Sequence, residues 1–323
     1  MKITVVLCTY NRCQLLAGTL ESVAASIVPT SVDWEVLIVD NNSCDQTREV
    51  AEDFCRRYPG RFRYVFEPQQ GLSYARNAGI RESQSKILAF TDDDVTVEPD
   101  WLWNLTSVLQ AGEWAGAGGP IKPVWPGPLP GWLSTADPDT MGPYGEFNLG
   151  TEAGPLRRPP YGANMAFRRE VFEKYGDFRT DLGRSGGNLQ GREDIEFANR
   201  LLTAAEPLRY EPGAVLHHRV QKCRMAKKYV LSWWYWYGRS EVAELGPPRE
   251  KWRIKGVPLC LFRRLVRWTL QWMISIEAPR RLSCQRNVWY IAGTAVACYK
   301  WSRRSNQQGA AAACVPGTYP EQG

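Results

Sequence analysis

Residues 86–95 read KILAFTDDDV, and no other stretch limits the fold of this chain so strongly. Residues 87–91 are apolar, bounded by polar residues and without a helical period, as a short buried strand requires. Three consecutive carboxylates, Asp92, Asp93 and Asp94, follow at its C-terminal end. Such a cluster costs roughly 1 kcal/mol of self-repulsion per close pair at a protein surface, so a cation is expected to relieve it. Sites of one or two carboxylates, completed by waters and substrate phosphates, suit Mg²⁺ or Mn²⁺. In open α/β sheets, ligands bind outside the carboxyl ends of the strands. The plain alternative is a solvated acidic turn capping a helix that starts near Glu98-Pro99.

The residues before this stretch supply the sheet. Residues 2–8, 34–39 and 61–66 are further β-rich apolar runs, separated by segments with helical spacing. Strand alternating with helix predicts βαβ units, a parallel sheet and right-handed crossovers. Neither GxGxxG after the first strand nor GxxxxGK[ST] occurs, so the phosphate cradles of dinucleotide and P-loop proteins are missing. Polar residues close the strands instead: Thr9-Tyr10-Asn11, Asp40 and the Asp triplet. Asp40 suits a ribose hydroxyl or base N–H, and equally a helix cap. In residues 71–79, GLSYARNAG, Arg76 offers a fork suited to phosphate or to the triplet.

Residues 112–160 hold ten prolines and interspersed aromatics, including Trp125, Trp132 and Tyr144, and read as a loop-rich acceptor region. Residues 161–167 look like a strand returning to the sheet. The glycine-rich segment 181–192 then delivers Glu193-Asp194 to a helix start. The helix dipole favours a carboxylate pair there whatever its function; a general base for an incoming hydroxyl also needs a carboxylate so presented. Residues 208–216 read as one last strand running into His217-His218, the only histidines. Neighbours on a strand point to opposite faces, so one of the two is expected to reach the site.

Charge divides the chain. Residues 217–304 carry 19 Lys and Arg against 4 acidic residues, whereas residues 1–216 carry 21 against 29. Eight of the 14 Trp also lie after residue 217. Residues 258–277 show helical spacing at Leu261, Leu265, Trp268, Trp272 and Ile276 beside Arg263, Arg264 and Arg267. A basic face beside Trp and Leu describes a helix lying in a membrane interface; the alternative is a helical cap on the catalytic domain. The longest apolar run, residues 288–299, falls short of the ~20 residues that span a bilayer. Nine cysteines without a CxxC pair, and no signal peptide, are read as reduced thiols in a cytoplasmic protein without zinc. No nucleic-acid module is recognised.

The marks VVLCTYNR (5–12), LIVDNNSCDQT (37–47), GLSYARNAGI (71–80), LAFTDDDV (88–95), YGANMAFRREVF (161–172), GREDIEFANRLL (191–202) and AVLHHRV (214–220) occur in that order. Together they make the chain resemble the family-2 glycosyltransferases of the GT-A fold, a Rossmann-like, mostly parallel sheet flanked by helices. The resemblance implies an inverting transferase acting in glycan, polysaccharide or glycolipid synthesis. Its donor would be a nucleotide-diphospho-sugar and its acceptor the hydroxyl of a glycan or lipid-linked glycan. By resemblance, Thr9, Tyr10, Asn11, Asp40, Glu67, Arg76, Asp92 and Asp93 would bind the nucleotide-sugar. Asp194, beside Glu193, would be the general base, and Asp94, Asp92 and His218 would hold Mn²⁺ or Mg²⁺, with a one-residue ambiguity toward His217. The expected organisation is a catalytic domain over 1–220, with a nucleotide-sugar half to 111 and an acceptor half after it. A helical, basic, Trp-rich extension would cover 221–304, peripheral at an anionic membrane on the cytoplasmic side, and a disordered tail 305–323. A metal-dependent nucleotidyltransferase and a non-catalytic nucleotide-sugar or glycan-binding protein are the alternatives.

Overall fold

The computed structural model describes residues 2–313. Its elements run β1 (Lys2–Thr9), α1 (Cys13–Ala24), β2 (Asp33–Asp40), α2 (Thr47–Arg57), β3 (Phe62–Phe66), α3 (Leu72–Glu82), β4 (Ile87–Asp92), β5 (Val95–Val97) and α4 (Trp101–Ser107). The next are β6 (Gly116–Gly118), β7 (Ile121–Val124), α5 (Pro138–Met141), β8 (Gly154–Pro155), β9 (Met165–Arg168), α6 (Arg169–Tyr175), α7 (Glu193–Thr203), β10 (Leu208–Tyr210) and β11 (Leu216–Arg219). Last come α8 (Lys227–Leu245), β12 (Arg253–Ile254), β13 (Val257–Pro258), α9 (Leu259–Ile274) and α10 (Ala278–Ala313). The chain divides into two compact units, Met1–Val230 and Leu231–Gly323, ten residues beyond the boundary expected from sequence. α10 continues through residues 305–313, which the sequence reading put in a disordered tail; residues 314–323 lie outside the described residues.

In the first unit the eight-stranded sheet has the order β3-β2-β1-β4-β9-β6-β10-β8. Strands β3, β2, β1 and β4 are mutually parallel, and β9 is antiparallel to both β4 and β6. Seven of eight residues in β1 and in β2 are buried, because strands covered on both faces read as unbroken apolar runs. The strand order reverses on either side of β1, so the crevice for a ligand lies past the carboxyl ends of β1 and β4. Aromatic packing fixes what borders it: Phe172 stacks on Phe197 at 4.7 Å, and Phe167 meets Phe197 edge-on at 5.1 Å. Phe197 sits one turn after Glu193 on the same face of α7.

One strand expected from the sequence is two. β10 belongs to the large sheet, whereas β11 joins β5 and β7 in a separate three-stranded sheet. Residues 211–215, containing Pro212-Gly213, make the break. The Asp triplet is followed by the strand β5 and not by a helix, which removes the acidic-cap reading.

The second unit is helical. α9 and α10 pack around Val242, Val257, Leu261, Ile291 and Cys298. Gly293 lets α10 meet α8, since a Cβ there would collide with the Tyr235 carbonyl. Among the described residues no helix is long and apolar enough to cross a membrane.

Candidate active site

Strand register brings the polar ends together. Thr9 lies opposite Asp40, Cys8 opposite Asp92, and Asp40 opposite Phe66, with Glu67 one residue beyond. The edge of four parallel strands thus carries most of the residues singled out by sequence. Cys8 is no nucleophile: burial pushes its thiol up to about 12.

Asp94 is the most heavily engaged of them. It is 2% exposed, and its Oδ2 accepts from Arg12 Nη1 at 2.7 Å and from Arg224 Nη2 at 2.9 Å, with His218 Nε2 at 3.5 Å. Burial opposes the charge on Asp94, yet the Arg224 and Arg12 guanidiniums hold it well below the usual carboxylate range. Asp93 accepts from the same Arg12 Nη1 at 2.8 Å. Burial outweighs Arg12 there and, with the charge of Asp94, pushes Asp93 up to about 6. The cation expected beside the triplet is therefore present as two arginines, the side chain best suited to buried ion pairs.

Each partner of Asp94 is itself positioned. Arg12 follows Asn11, whose backbone is left-handed at φ 50°. Asn11 ties the loop after β1 to the loop after β2: its N–H donates to Ser43 Oγ at 2.9 Å, and its Oδ1 accepts from Cys44 N at 2.8 Å. His218 pairs in register with Val95, and the neighbouring Arg219 N–H donates to the Asp94 carbonyl at 2.9 Å. His218 Nδ1 lies 2.6 Å from the Tyr144 carbonyl, and Nε2 lies 2.9 Å from Arg224 Nη1. A carbonyl only accepts and a guanidinium only donates, so these partners require neutral imidazole protonated on Nδ1. Nε2 then accepts from Arg224, and Asp94 Oδ2 stands 3.5 Å from the same nitrogen. His217 points away, to Glu98 Oε1 at 2.7 Å, so of the two histidines it is His218 that faces Asp94.

A second cluster adjoins the first. Buried Arg76 donates to Glu193 Oε1 at 2.6 Å and lies 3.7 Å from Asp92 Oδ1. Gly162 makes room for it, since a Cβ there would overlap the guanidinium. The Gly162 N–H donates to Asp194 Oδ2 at 2.6 Å. Burial, reinforced by Asp194 and opposed by Arg76, pushes Glu193 up to about 7. Arg192, directly before the pair, is left-handed at φ 77°, a conformation that costs a non-glycine residue about 1–3 kcal/mol and clusters at functional sites. Glu193, expected with Asp194 in the catalytic pair, is buried on Arg76, and only Asp194 is partly exposed.

The remaining candidates hold loops. Asp40 accepts from Ser43 N through Oδ1 and from the Tyr64 hydroxyl through Oδ2, both at 2.9 Å. Glu67 accepts from Gln69 N at 2.9 Å. Tyr10 is exposed and Thr9 buried. The expected trio of metal ligands does not assemble: among the described residues no three His, Cys, Asp or Glu side chains converge to hold a metal, because Asp92 turns toward Arg76. The pair Asp94 and His218 does fit a cation that keeps waters and takes further oxygens from a substrate's phosphates. Sequence reading left Arg12, Arg224 and Tyr144 without roles in the site. The need for a cation beside the triplet was the available signal for the arginines; nothing local marked the Tyr144 carbonyl.

Comparison with known proteins places the chain among glycosyltransferases. The family model for glycosyl transferase family 2 matches residues 4–176. The succinoglycan biosynthesis protein ExoM of Rhizobium meliloti is 30% identical over 237 residues, 72% of this chain and 70% of that protein. The glucosyl-dolichyl phosphate glucuronosyltransferase of Haloferax volcanii is 28% identical over 252 residues, 75% and 76% of the two chains. The mannosyltransferase PcManGT of Pyrobaculum calidifontis, solved with GDP-Man and Mn²⁺, shares the fold with a TM-score of 0.54 at 18% identity, over 98% of this chain and 76% of that one. GalNAc-T7, solved with UDP, GalNAc and Mn²⁺, does so with a TM-score of 0.53 at 18% identity, over 77% and 52%.

Proposed function

Because the chain belongs to glycosyl transferase family 2, we propose that it moves a sugar from a nucleoside-diphosphate donor to an acceptor hydroxyl, with inversion at the anomeric carbon. One observation carries the reading: Asp94, Arg12, Arg224 and His218 meet within hydrogen-bonding distances at the carboxyl edge of β4. A divalent cation, as in the two solved structures with Mn²⁺, would be held by Asp94 and His218. It would supply Lewis-acid stabilisation of the departing diphosphate.

The residues of the chain do the rest. Asp194, with Oδ2 steadied by the Gly162 N–H, takes the proton of the acceptor hydroxyl. The freed oxygen pair forms the new bond to the anomeric carbon, while the bond to the diphosphate oxygen breaks and its electrons leave with the nucleotide. Arg12 and Arg224 are the guanidiniums placed to donate to those oxygens as negative charge grows on them. Thr9, Tyr10, Asp40 and Glu67 border the nucleoside end, and Arg76 keeps Asp92 and α7 in register. The acceptor is the hydroxyl of a glycan or lipid-linked glycan, in keeping with the succinoglycan and dolichyl-phosphate names of the two relatives. We place the enzyme in the cytoplasm; the eight cysteines among the described residues are all free, as a reducing compartment would keep them.

Release of nucleoside diphosphate from a panel of nucleotide sugars tests the reaction. Asp194→Asn is expected to slow turnover by roughly 10²–10⁴-fold, the range for losing a general base, with donor binding intact. An Asp194→Asn enzyme turning over at the normal rate would remove Asp194 as the base.

A further inference from the structure

The second unit carries an apolar stripe that its own core does not use. On α9 the residues turned into the core are Leu261, with Leu265 and Trp268 packed beside it. These are residues whose spacing suggested a membrane-facing side, so that assignment is corrected: they face the packed interior of the unit. Phe262, Val266, Leu270 and Met273 follow at intervals of four, four and three, the spacing of one helix face. They are 39%, 60%, 57% and 69% exposed. Ile274 and Ile276 are exposed at the same end. Arg263 and Arg267, also exposed, fall on the edge of that arc. α9 is therefore apolar on two arcs, and the core covers one of them.

We propose that the second arc docks on an anionic lipid bilayer, with α9 lying in the headgroup region. A helix with apolar side chains on one face and arginines at its border is built for that interface. Charge selects this partner. Residues 231–304 carry 14 Lys and Arg against 4 Glu, so an anionic surface is attracted. A second copy meeting the same arc would instead bring four arginines together. Aromatic side chains of the kind enriched at membrane interfaces, Trp252, Trp289, Tyr299 and Trp301, are exposed elsewhere on this unit. The inference extends the reading of a lipid-linked acceptor, but docking needs neither donor nor acceptor, so either can fail alone.

The test is flotation of the full-length protein with vesicles. The wild type is expected to bind mixed phosphatidylcholine–phosphatidylglycerol vesicles and to leave pure phosphatidylcholine vesicles bare. Val266→Glu with Leu270→Glu is expected to weaken binding at least tenfold. Arg263→Gln with Arg267→Gln is expected to weaken it about thirtyfold, from about 1 kcal/mol per basic residue near the surface. That second pair keeps the test open if the glutamates unfold the helix. Binding that is absent in the wild type, indifferent to phosphatidylglycerol, or unchanged in both variants overturns the proposal. So does light scattering in which the glutamate pair converts a dimer to a monomer at unchanged vesicle binding, which would make the stripe an interface between copies.

Discussion

The first unit keeps charge inside and apolar surface covered, whereas the second keeps cations and much apolar surface outside. Among the described residues, ten buried Asp, Glu and Arg side chains belong to the first unit; Arg286 is the one in the second. Large exposed hydrophobics run the other way, twelve in the second unit against six in the longer first. A buried charge is retained only against a partner, since desolvation costs several kcal/mol per ion. The first unit meets that condition with Arg12, Arg76 and Arg224 set against Asp92, Asp93, Asp94 and Glu193. Such an arrangement stores charge for a substrate. Exposed apolar surface beside unbalanced cations stores affinity for a surface.

The largest effect that would sharpen this contrast comes from breaking a buried pair. Arg76→Met leaves Glu193 without its salt bridge, and the expected loss is about 3–5 kcal/mol, or roughly 10 °C in the melting of the first unit. A shift under about 2 °C in calorimetry would mean that the pair is not the constraint it looks to be. Next is pH. The folded carboxyls of Glu193 and Asp93, raised to about 7 and about 6, hold protons that the unfolded chain has already released. Their contribution to stability therefore declines as pH rises, from about 4.5 to 7 for Glu193 and from about 4 to 6 for Asp93. Asp94 has the opposite sign: held low, it contributes stability above the usual Asp range that is lost on acidification. Glu193→Gln is expected to flatten the decline between pH 4.5 and 7 by about 3 kcal/mol, read from denaturant midpoints across that range; parallel curves for variant and wild type would contradict it. The smallest effect belongs to the second unit. Leu270→Asn, on an exposed position, is expected to change stability by no more than about 0.5 kcal/mol, and a core-sized loss on melting would show that its stripe is already covered.

What was legible in the sequence follows the same division. β1, β2 and β4 were readable because strands buried on both faces leave unbroken apolar runs, and residues at their ends fall on the ligand edge by topology alone. α7 was readable from Ile195, Phe197, Ala198, Leu201 and Leu202. The partners of Asp94 were not, because Arg12 and Arg224 are separated from it by 82 and 130 residues, and nothing local says which arginine folds inward. β10 and β11 merged into one strand because Leu208 and Tyr210 before Pro212-Gly213 and Ala214, Val215 and Leu216 after it all suit a strand. On α9, apolar residues occupy two arcs, so period alone could not tell which one the core would take.

The claim on which the rest depends is that Asp94 anchors the donor's diphosphate and its metal. Calorimetric titration of UDP, GDP and dTDP, each with Mn²⁺ or with EDTA, tests it in the wild type and in Asp94→Asn. Metal-dependent binding of one nucleoside diphosphate is expected for the wild type, and loss of that binding in Asp94→Asn. Equal affinity in EDTA, or an Asp94→Asn protein that binds as the wild type does, would contradict it.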